Sequence, residues 1–192
     1  MAHDKHSWAL WQLVIRNKFL GILNGSIDGF KMVGAEVGVW KGHTSAMLLR
    51  ELPTLTLYCV DPWEIGGDHV SMPTTTPEMF AKSKNEFLLS TDEFADRRVI
   101  LPMTSIEASK RVPDGSLDFV FIDGDHTYES AKRDIELWYP KVRPGGLVSG
   151  HDYFWIENYR LVVMQAVDES AKNLGYSVQQ AGGQVWYFIK RA

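Results

Sequence analysis

The chain has 192 residues, 45% of them hydrophobic and 23% charged, with a net charge of −4 and a pI near 5.9. That size and balance suit one domain with a real core, and the mild acidity argues against nucleic-acid or membrane partners and for a small or neutral one. The single cysteine, Cys59, excludes a disulfide framework and fits a reduced, cytoplasmic setting; no secretory leader or membrane span is expected.

The first 26 residues carry Trp8, Trp11, Ile15, Phe19 and Ile22 at helical spacing, which predicts a helix ending near Asn24-Gly25. Trp8 and Trp11 leave open a homo-oligomer built on this helix. Short β-type runs then alternate with amphipathic patterns. Residues 31–39, "KMVGAEVGV", predict a strand and turn; "HTSAMLLREL", 43–52, predicts a helix capped by Thr44. Residues 55–61, "LTLYCVD", are a second strand. The stretch 63–77, "WEIGGDHVSMPTTTP", has no periodicity and reads as an active-site lid, with Asp68 and His69 as weaker substrate contacts. The next expected elements are a strand at 98–102, a short helix at 105–112 and a buried strand at 117–123. Residues 127–139 put Tyr128, Ala131, Ile135 and Trp138 on one face of a helix. A Pro-Gly-Gly turn precedes a strand ending "SGHD", a helix covers 159–175, and "YSVQQAGGQVWYFIKR" forms a terminal hairpin around Ala-Gly-Gly. Strands alternating with helices predict a single doubly wound α/β domain, with a seven-stranded sheet that is parallel except for the C-terminal antiparallel hairpin.

The turn "GAEVGVWKGHTS" follows the first strand and opens the first core helix. Its glycines let the backbone turn tightly and approach a ligand, and the helix start offers free N–H groups. Asp61 closes the second strand, where an acid can hold ribose hydroxyls. The front half therefore reads as a nucleoside-binding half-domain. The spacing is not G-x-G-x-x-G, which argues against a nicotinamide-dependent oxidoreductase.

Two strands end in acid-and-histidine clusters: "DFVFIDGDHTY" at 118–128 and "GLVSGHDY" at 146–153. In a doubly wound sheet, ligands sit beyond the carboxyl ends of the strands. Neighbouring strands stand about 4.8 Å apart, so Asp123 and the pair His151-Asp152 could share a divalent cation or hold a substrate hydroxyl. Two carboxylates so close repel unless a cation or proton lies between them. Tyr153, Trp155 and Tyr159 follow the second cluster and could wall an acceptor pocket as readily as pack.

From Lys31 to Ile189 the chain resembles the S-adenosylmethionine-dependent methyltransferases of the Rossmann-like class. The resemblance rests on Glu36, Gly38 and Gly42, on Asp61 placed 23 residues after Gly38, and on the terminal hairpin. It implies cofactor contacts from Glu36, Gly38, Gly42 and Asp61, with Trp63, Thr104 and Ser105 near the adenine. The spacing from Asp123 to residues 151 and 152 is similar to that of the metal-dependent O-methyltransferases. The pattern "IDGDHTYES…W…RPGG…HDY" resembles the macrolide-sugar and aminocoumarin branch more than the catechol branch. That implies a divalent ion, magnesium or manganese, on Asp123, His151 and Asp152, Asp123 at both the cofactor and the chemistry, and His126 as general base. It also implies a small hydroxylated acceptor, a sugar or natural-product glycoside. His151 departs from the branch, which has a carboxylate there; imidazole suits manganese, iron or zinc better than magnesium. A metal-dependent hydrolase using the two acid clusters, and a non-catalytic cofactor-binding module, are the remaining alternatives.

Overall fold

The computed structural model describes residues 5–23, 31–64, 76–157 and 160–191. The expected lid falls almost wholly on 65–75, so Asp68 and His69 lie outside the described residues, as does Tyr159. The first helix is α1 (Lys5–Leu23). Strand β1 (Met32–Val37), helix α2 (His43–Glu51) and strand β2 (Leu55–Val60) follow, then α3 (Pro77–Ser90), β3 (Arg98–Leu101) and the short α4 (Ser105–Ser109). Next come β4 (Leu117–Ile122), α5 (Tyr128–Trp138) and β5 (Val142–Gly150), a small hairpin of β6 (Ile156–Glu157) and β7 (Arg160–Leu161), and α6 (Val162–Asn173). The chain closes with β8 (Gln179–Gln180) and β9 (Trp186–Ile189).

Seven strands form one sheet in the order β3-β2-β1-β4-β5-β9-β8. The first five run parallel; β9 runs antiparallel to β5, and β8 runs antiparallel to β9. This is the expected architecture, and its physical cause is visible along β4. Phe119 and Phe121 point into one apolar layer with Leu10, Leu48 and Phe87. Val120 and Ile122 point into the other with Ile135, Trp138 and Val163. Both faces are covered, so the strand is apolar throughout rather than alternating.

Several expected details change. Helix α3 has no counterpart in the sequence-based expectation, although Thr76 caps it, Pro77 sits in its first turn, and Phe80 and Phe87 are buried. The stripe on α1 is displaced: Ala9, Leu10, Leu13 and Val14 are buried while Trp8 and Ile15 are exposed. Trp8 and Trp11 stack on each other, centroids 4.5 Å apart. Helix α2 is not capped by Thr44; its N-cap is Gly42 at φ +75°, and the Thr44 hydroxyl pairs with Ser7 of α1 at 2.8 Å. The Pro144-Gly145-Gly146 step is absorbed inside β5, where the register with β4 shifts between Leu117 and Phe119. The last helix starts at Val162 because the β6–β7 hairpin takes the residues before it.

Candidate active site

The sheet order reverses at β1, with β2 on one side and β4 on the other. Ladder bonds continue one residue past the strand ends. Gly38 N–H donates to Val60 (2.9 Å), Asp123 N–H to Val37 (2.7 Å) and His151 N–H to Ile122 (3.0 Å). These bonds hold Gly38, Asp123 and His151 in a row along the carboxyl edge of the sheet, the crevice where such folds bind ligands.

The glycine turn is fastened from below by Asp61. Its Oδ2 accepts the amides of Val39 (3.1 Å) and Trp40 (2.8 Å), and its Oδ1 accepts that of Trp63 (2.8 Å). A buried carboxylate with three backbone donors is a strong clamp, so Asp61 first shapes the turn. Glu36 is also buried and accepts the Ser45 hydroxyl, tying β1 to α2. Gly38, at φ +90°, lies so close to β4 that a Cβ would stand 2.1 Å from the Asp123 carbonyl oxygen. At Gly42 a Cβ would meet the Phe87 ring at 2.5 Å. Trp63 is buried under this turn: its ring stacks on Phe87 at 5.1 Å and its indole N–H donates to the Trp40 carbonyl at 2.8 Å.

A narrow cleft opens beside the turn. Gly38, Asp61, Thr104 and Ser105 line it, together with Pro62, Gly124, Asp125 and Asp134; Glu36, Gly42 and Trp63 are not among its lining residues. Asp125 and Asp134 were not flagged from the sequence as cofactor residues. Asp134 accepts the Ser105 hydroxyl (2.6 Å), which in turn accepts the Trp138 indole N–H (2.8 Å). The signal for Asp134 was present: it is an acid on the face of α5 that Ala131, Ile135 and Trp138 otherwise make apolar.

Next to the cleft, the two acid clusters meet. Asp123 follows β4 and Asp152 follows β5. His126 Nε2 lies 2.8 Å from Asp152 Oδ2 and 3.7 Å from Asp123 Oδ1. Asp123, His126 and Asp152 each offer a ligand atom within 4.8 Å of the others. His151 is not in that three-residue group, but its ring lies beside it. Its Nε2 lies 2.7 Å from the Gly183 carbonyl, an acceptor, so that nitrogen carries the proton and donates. Its Nδ1 then faces Asp123 at 3.5 Å and Asp152 at 3.3 Å. Asp152 holds φ +52°, a left-handed conformation that is uncommon outside glycine and collects at functional sites.

The charges balance internally. Burial would lower the pKa of His126, but hydrogen bonds to Asp123 and Asp152 outweigh it and raise it to about 9. The same opposition raises His151 to about 10. Burial raises Asp123 and Asp152, yet hydrogen bonds from the two imidazoles hold both below the ordinary carboxylate value. The repulsion expected between the carboxylates is met by imidazolium groups.

A family model described as a methyltransferase domain matches residues 35–153, from β1 through the second acid cluster. This chain belongs to the methyltransferase-domain family. An uncharacterized protein of Acanthamoeba polyphaga mimivirus is 26% identical over 136 residues, covering 70% of this chain and 57% of its own length. An uncharacterized protein of Sinorhizobium fredii is 40% identical over 95 residues, 50% of this chain and 10% of that protein. The chain thus spans just over half of the first relative and a tenth of the second. Among solved structures, an O-methyltransferase family protein from Burkholderia thailandensis has a TM-score of 0.57 at 15% identity, covering 94% of this chain and 55% of its own. The cofactor-bound protein Rv0187 from MTB has a TM-score of 0.58 at 16% identity, covering 98% and 92%. At those identities the likeness is one of fold. The fold is that of the class I S-adenosylmethionine-dependent methyltransferases, and no described helix of this family member is long and apolar enough to cross a membrane.

Proposed function

We propose that this chain methylates a hydroxyl oxygen of a small molecule, with S-adenosylmethionine as the donor. The observation that carries this reading is the contact between the glycine turn and the acid-histidine cluster. Gly38 abuts the Asp123 carbonyl, so a donor in the cleft and a hydroxyl on Asp123, His126 and Asp152 would be neighbours. S-adenosylmethionine, when bound, supplies a sulfonium-activated methyl group; the chain itself has to align the acceptor oxygen and take its proton. Gly38, Asp61, Thr104 and Ser105 would hold the cofactor along the cleft, with Glu36, Gly42 and Trp63 bracing the turn from behind.

His126 is the proton acceptor in this reading, on one condition. With its pKa raised to about 9 it is already protonated at neutral pH and has no lone pair to offer. A divalent cation on Asp123 and Asp152 fits the two carboxylates within reach of one ion, with the His126 nitrogen kept for the proton rather than for the metal. It would supply positive charge that opposes the imidazolium and acidifies a nearby hydroxyl. His151 Nδ1, 3.5 Å from Asp123 and 3.3 Å from Asp152, would add a nitrogen ligand, which suits manganese at least as well as magnesium.

Calorimetric titration with S-adenosylhomocysteine, with and without manganese or magnesium and with NAD as control, tests the reading. Micromolar binding of the nucleoside, weakened by Asp61→Asn and absent for NAD, is the expected result. Absence of binding under every metal condition would overturn the cofactor assignment.

A further inference from the structure

Asp152 stands between two residues that the terminal hairpin holds. Strand β9 lies antiparallel beside β5, with Trp186 paired to Gly150. Gly150 has no side chain, and the Trp186 indole takes the space: a Cβ there would stand 2.4 Å from the ring. Trp186 is buried, and its indole N–H donates to the His151 carbonyl at 3.1 Å. The turn that leads into β9 supplies two carbonyls in succession. That of Gly183 accepts from His151 Nε2 at 2.7 Å, and that of Gln184 accepts the Tyr153 amide at 3.2 Å. Gly183 and Gln184 both hold φ +68°. For glutamine that is an uncommon conformation, kept where the surroundings enforce it and concentrated at functional sites. On its far side the turn rests on α1, where a Cβ added to Gly182 would touch Ala9 at 4.0 Å.

Resting on the methyltransferase reading, we infer that Trp186 is a positioning residue of this site: with the Gly183-Gln184 turn it fixes the His151 ring and aims Asp152 at His126. His151 is tied at its N–H by Ile122 (3.0 Å), at its carbonyl by the Trp186 indole and at Nε2 by Gly183. The ring therefore presents Nδ1 to Asp123 and Asp152. One residue on, Asp152 turns the chain at φ +52°. Tyr153 is then pinned at its amide by Gln184 and at its hydroxyl by Asp168 of α6 (2.6 Å). With both neighbours fixed, the Asp152 carboxylate has little room to wander, and His126 Nε2 meets it at 2.8 Å. Groups that touch reacting atoms work only when an outer layer of hydrogen bonds and packing holds them in place. Here that layer comes from β9 and its turn, which lie beyond residues 35–153 that the family model matches. The matched segment carries the acid-histidine groups, and the chain after it sets their geometry.

The test is the NMR spectrum of the histidine rings in the intact, isotopically labelled protein, recorded without metal or cofactor. Trp186→Phe keeps a buried ring and removes the indole N–H. Gly183→Val leaves Trp186 in place but puts a β-branched residue at positive φ, which displaces the carbonyl that His151 uses. Gly183 sits in a half-exposed turn, so this variant decides the matter if Trp186→Phe does not fold. Gln184→Gly retains both carbonyls, and Phe188→Leu loosens β9 away from His151; these are the controls. In the wild type, His151 Nε2 is expected to carry a proton that exchanges slowly with water. Exchange should quicken roughly tenfold in Trp186→Phe and Gly183→Val, the worth of one hydrogen bond, and the His126 signals should move with it as Asp152 shifts. Both rings should be unchanged in the controls. Rings unchanged in Trp186→Phe and Gly183→Val, an equal change in Phe188→Leu, or a wild-type Nε2 without a proton would overturn the positioning role. Affinity for S-adenosylhomocysteine, titrated alongside, should be the same in every variant, because none of these residues lines the cofactor cleft. Failure of the wild type to bind it is a separate result, which would sink the methyltransferase reading and leave the ring spectra to stand on their own.

Discussion

Gly38→Ala is the substitution that bears most directly on the site. A Cβ there would lie 2.1 Å from the Asp123 carbonyl oxygen, 2.5 Å from its carbonyl carbon and 2.7 Å from the Gly124 Cα. All three are backbone atoms, so no side chain can swing away. The residue also holds φ +90°, which disfavours any L side chain by about 1–2 kcal/mol. Overpacking into fixed backbone adds about 1–3 kcal/mol, so the total is about 3 kcal/mol. Gly115→Ala separates the two contributions, because Gly115 is at φ +65° with nothing within 4 Å of its added Cβ. Urea denaturation should show Gly115→Ala costing about 1 kcal/mol and Gly38→Ala about 2 kcal/mol more. Relief of the clash can come only by parting the turn from β4, so S-adenosylhomocysteine affinity should fall more than tenfold in Gly38→Ala alone. If the two variants lose the same stability, the close approach of the turn to Asp123 is wrong, and with it the juxtaposition of donor and cluster.

Other tests address individual groups. Asp61→Asn removes the charge that the amides of Val39, Trp40 and Trp63 share; it should cost about 1–3 kcal/mol of stability, and an unchanged melting curve would show that the clamp is idle. Ser105→Ala deletes the hydroxyl between Asp134 and the Trp138 indole, with an expected loss of about 1–2 kcal/mol in the same assay. His126 has its folded pKa raised from 6.5 to about 9, so its contribution is complete below pH 6.5 and lost as pH rises through 9. Asp123 and Asp152 are lowered from 3.8, so theirs is complete above that value and lost on further acidification. Stability should therefore hold level between pH 3.8 and 6.5 and then fall on the alkaline side by about 2 kcal/mol or more, because His151, raised to about 10, loses its proton there as well; His126→Gln should shrink that fall without abolishing it, and a flat wild-type profile would refute the pairing. Manganese binding near pH 7.5 should release protons, seen as binding heats that vary with the buffer's ionisation enthalpy, and Asp152→Asn should abolish it. Binding without proton release would leave His126 charged and remove it as the base.

What could be read from the sequence follows from how directly each feature is written in local pattern. Buried parallel strands announce themselves as short apolar runs, so β1, β2, β4 and β5 were plain, and the acids at their ends were plain because nothing in a core explains them. Helix α3 escaped because only Phe80, Ser83 and Phe87 of its length are buried, too thin a stripe to register as periodic. Its Thr76-Pro77-Glu78 start was the better signal. Helix α1 misled in the opposite way: Trp8 draws attention but is exposed, and smaller Ala9, Leu10, Leu13 and Val14 face the domain, with Trp11 packed half-buried beside them. Contacts set by tertiary geometry were out of reach. Nothing near "GHDY" says that His151 will give one nitrogen to Gly183, which is 32 residues away and reaches it only because β9 pairs antiparallel with β5. That bond changes the chemistry expected of the motif. With Nε2 committed to a carbonyl, His151 can meet the carboxylates only through Nδ1, as a cation when protonated or as a further donor when not. The substitution of histidine for the usual carboxylate thus replaces a negative ligand by a group whose charge is set by what else occupies the cluster. A divalent ion and a protonated His151 compete for the same two carboxylates, so metal affinity should rise with pH more steeply here than at a site built from carboxylates alone.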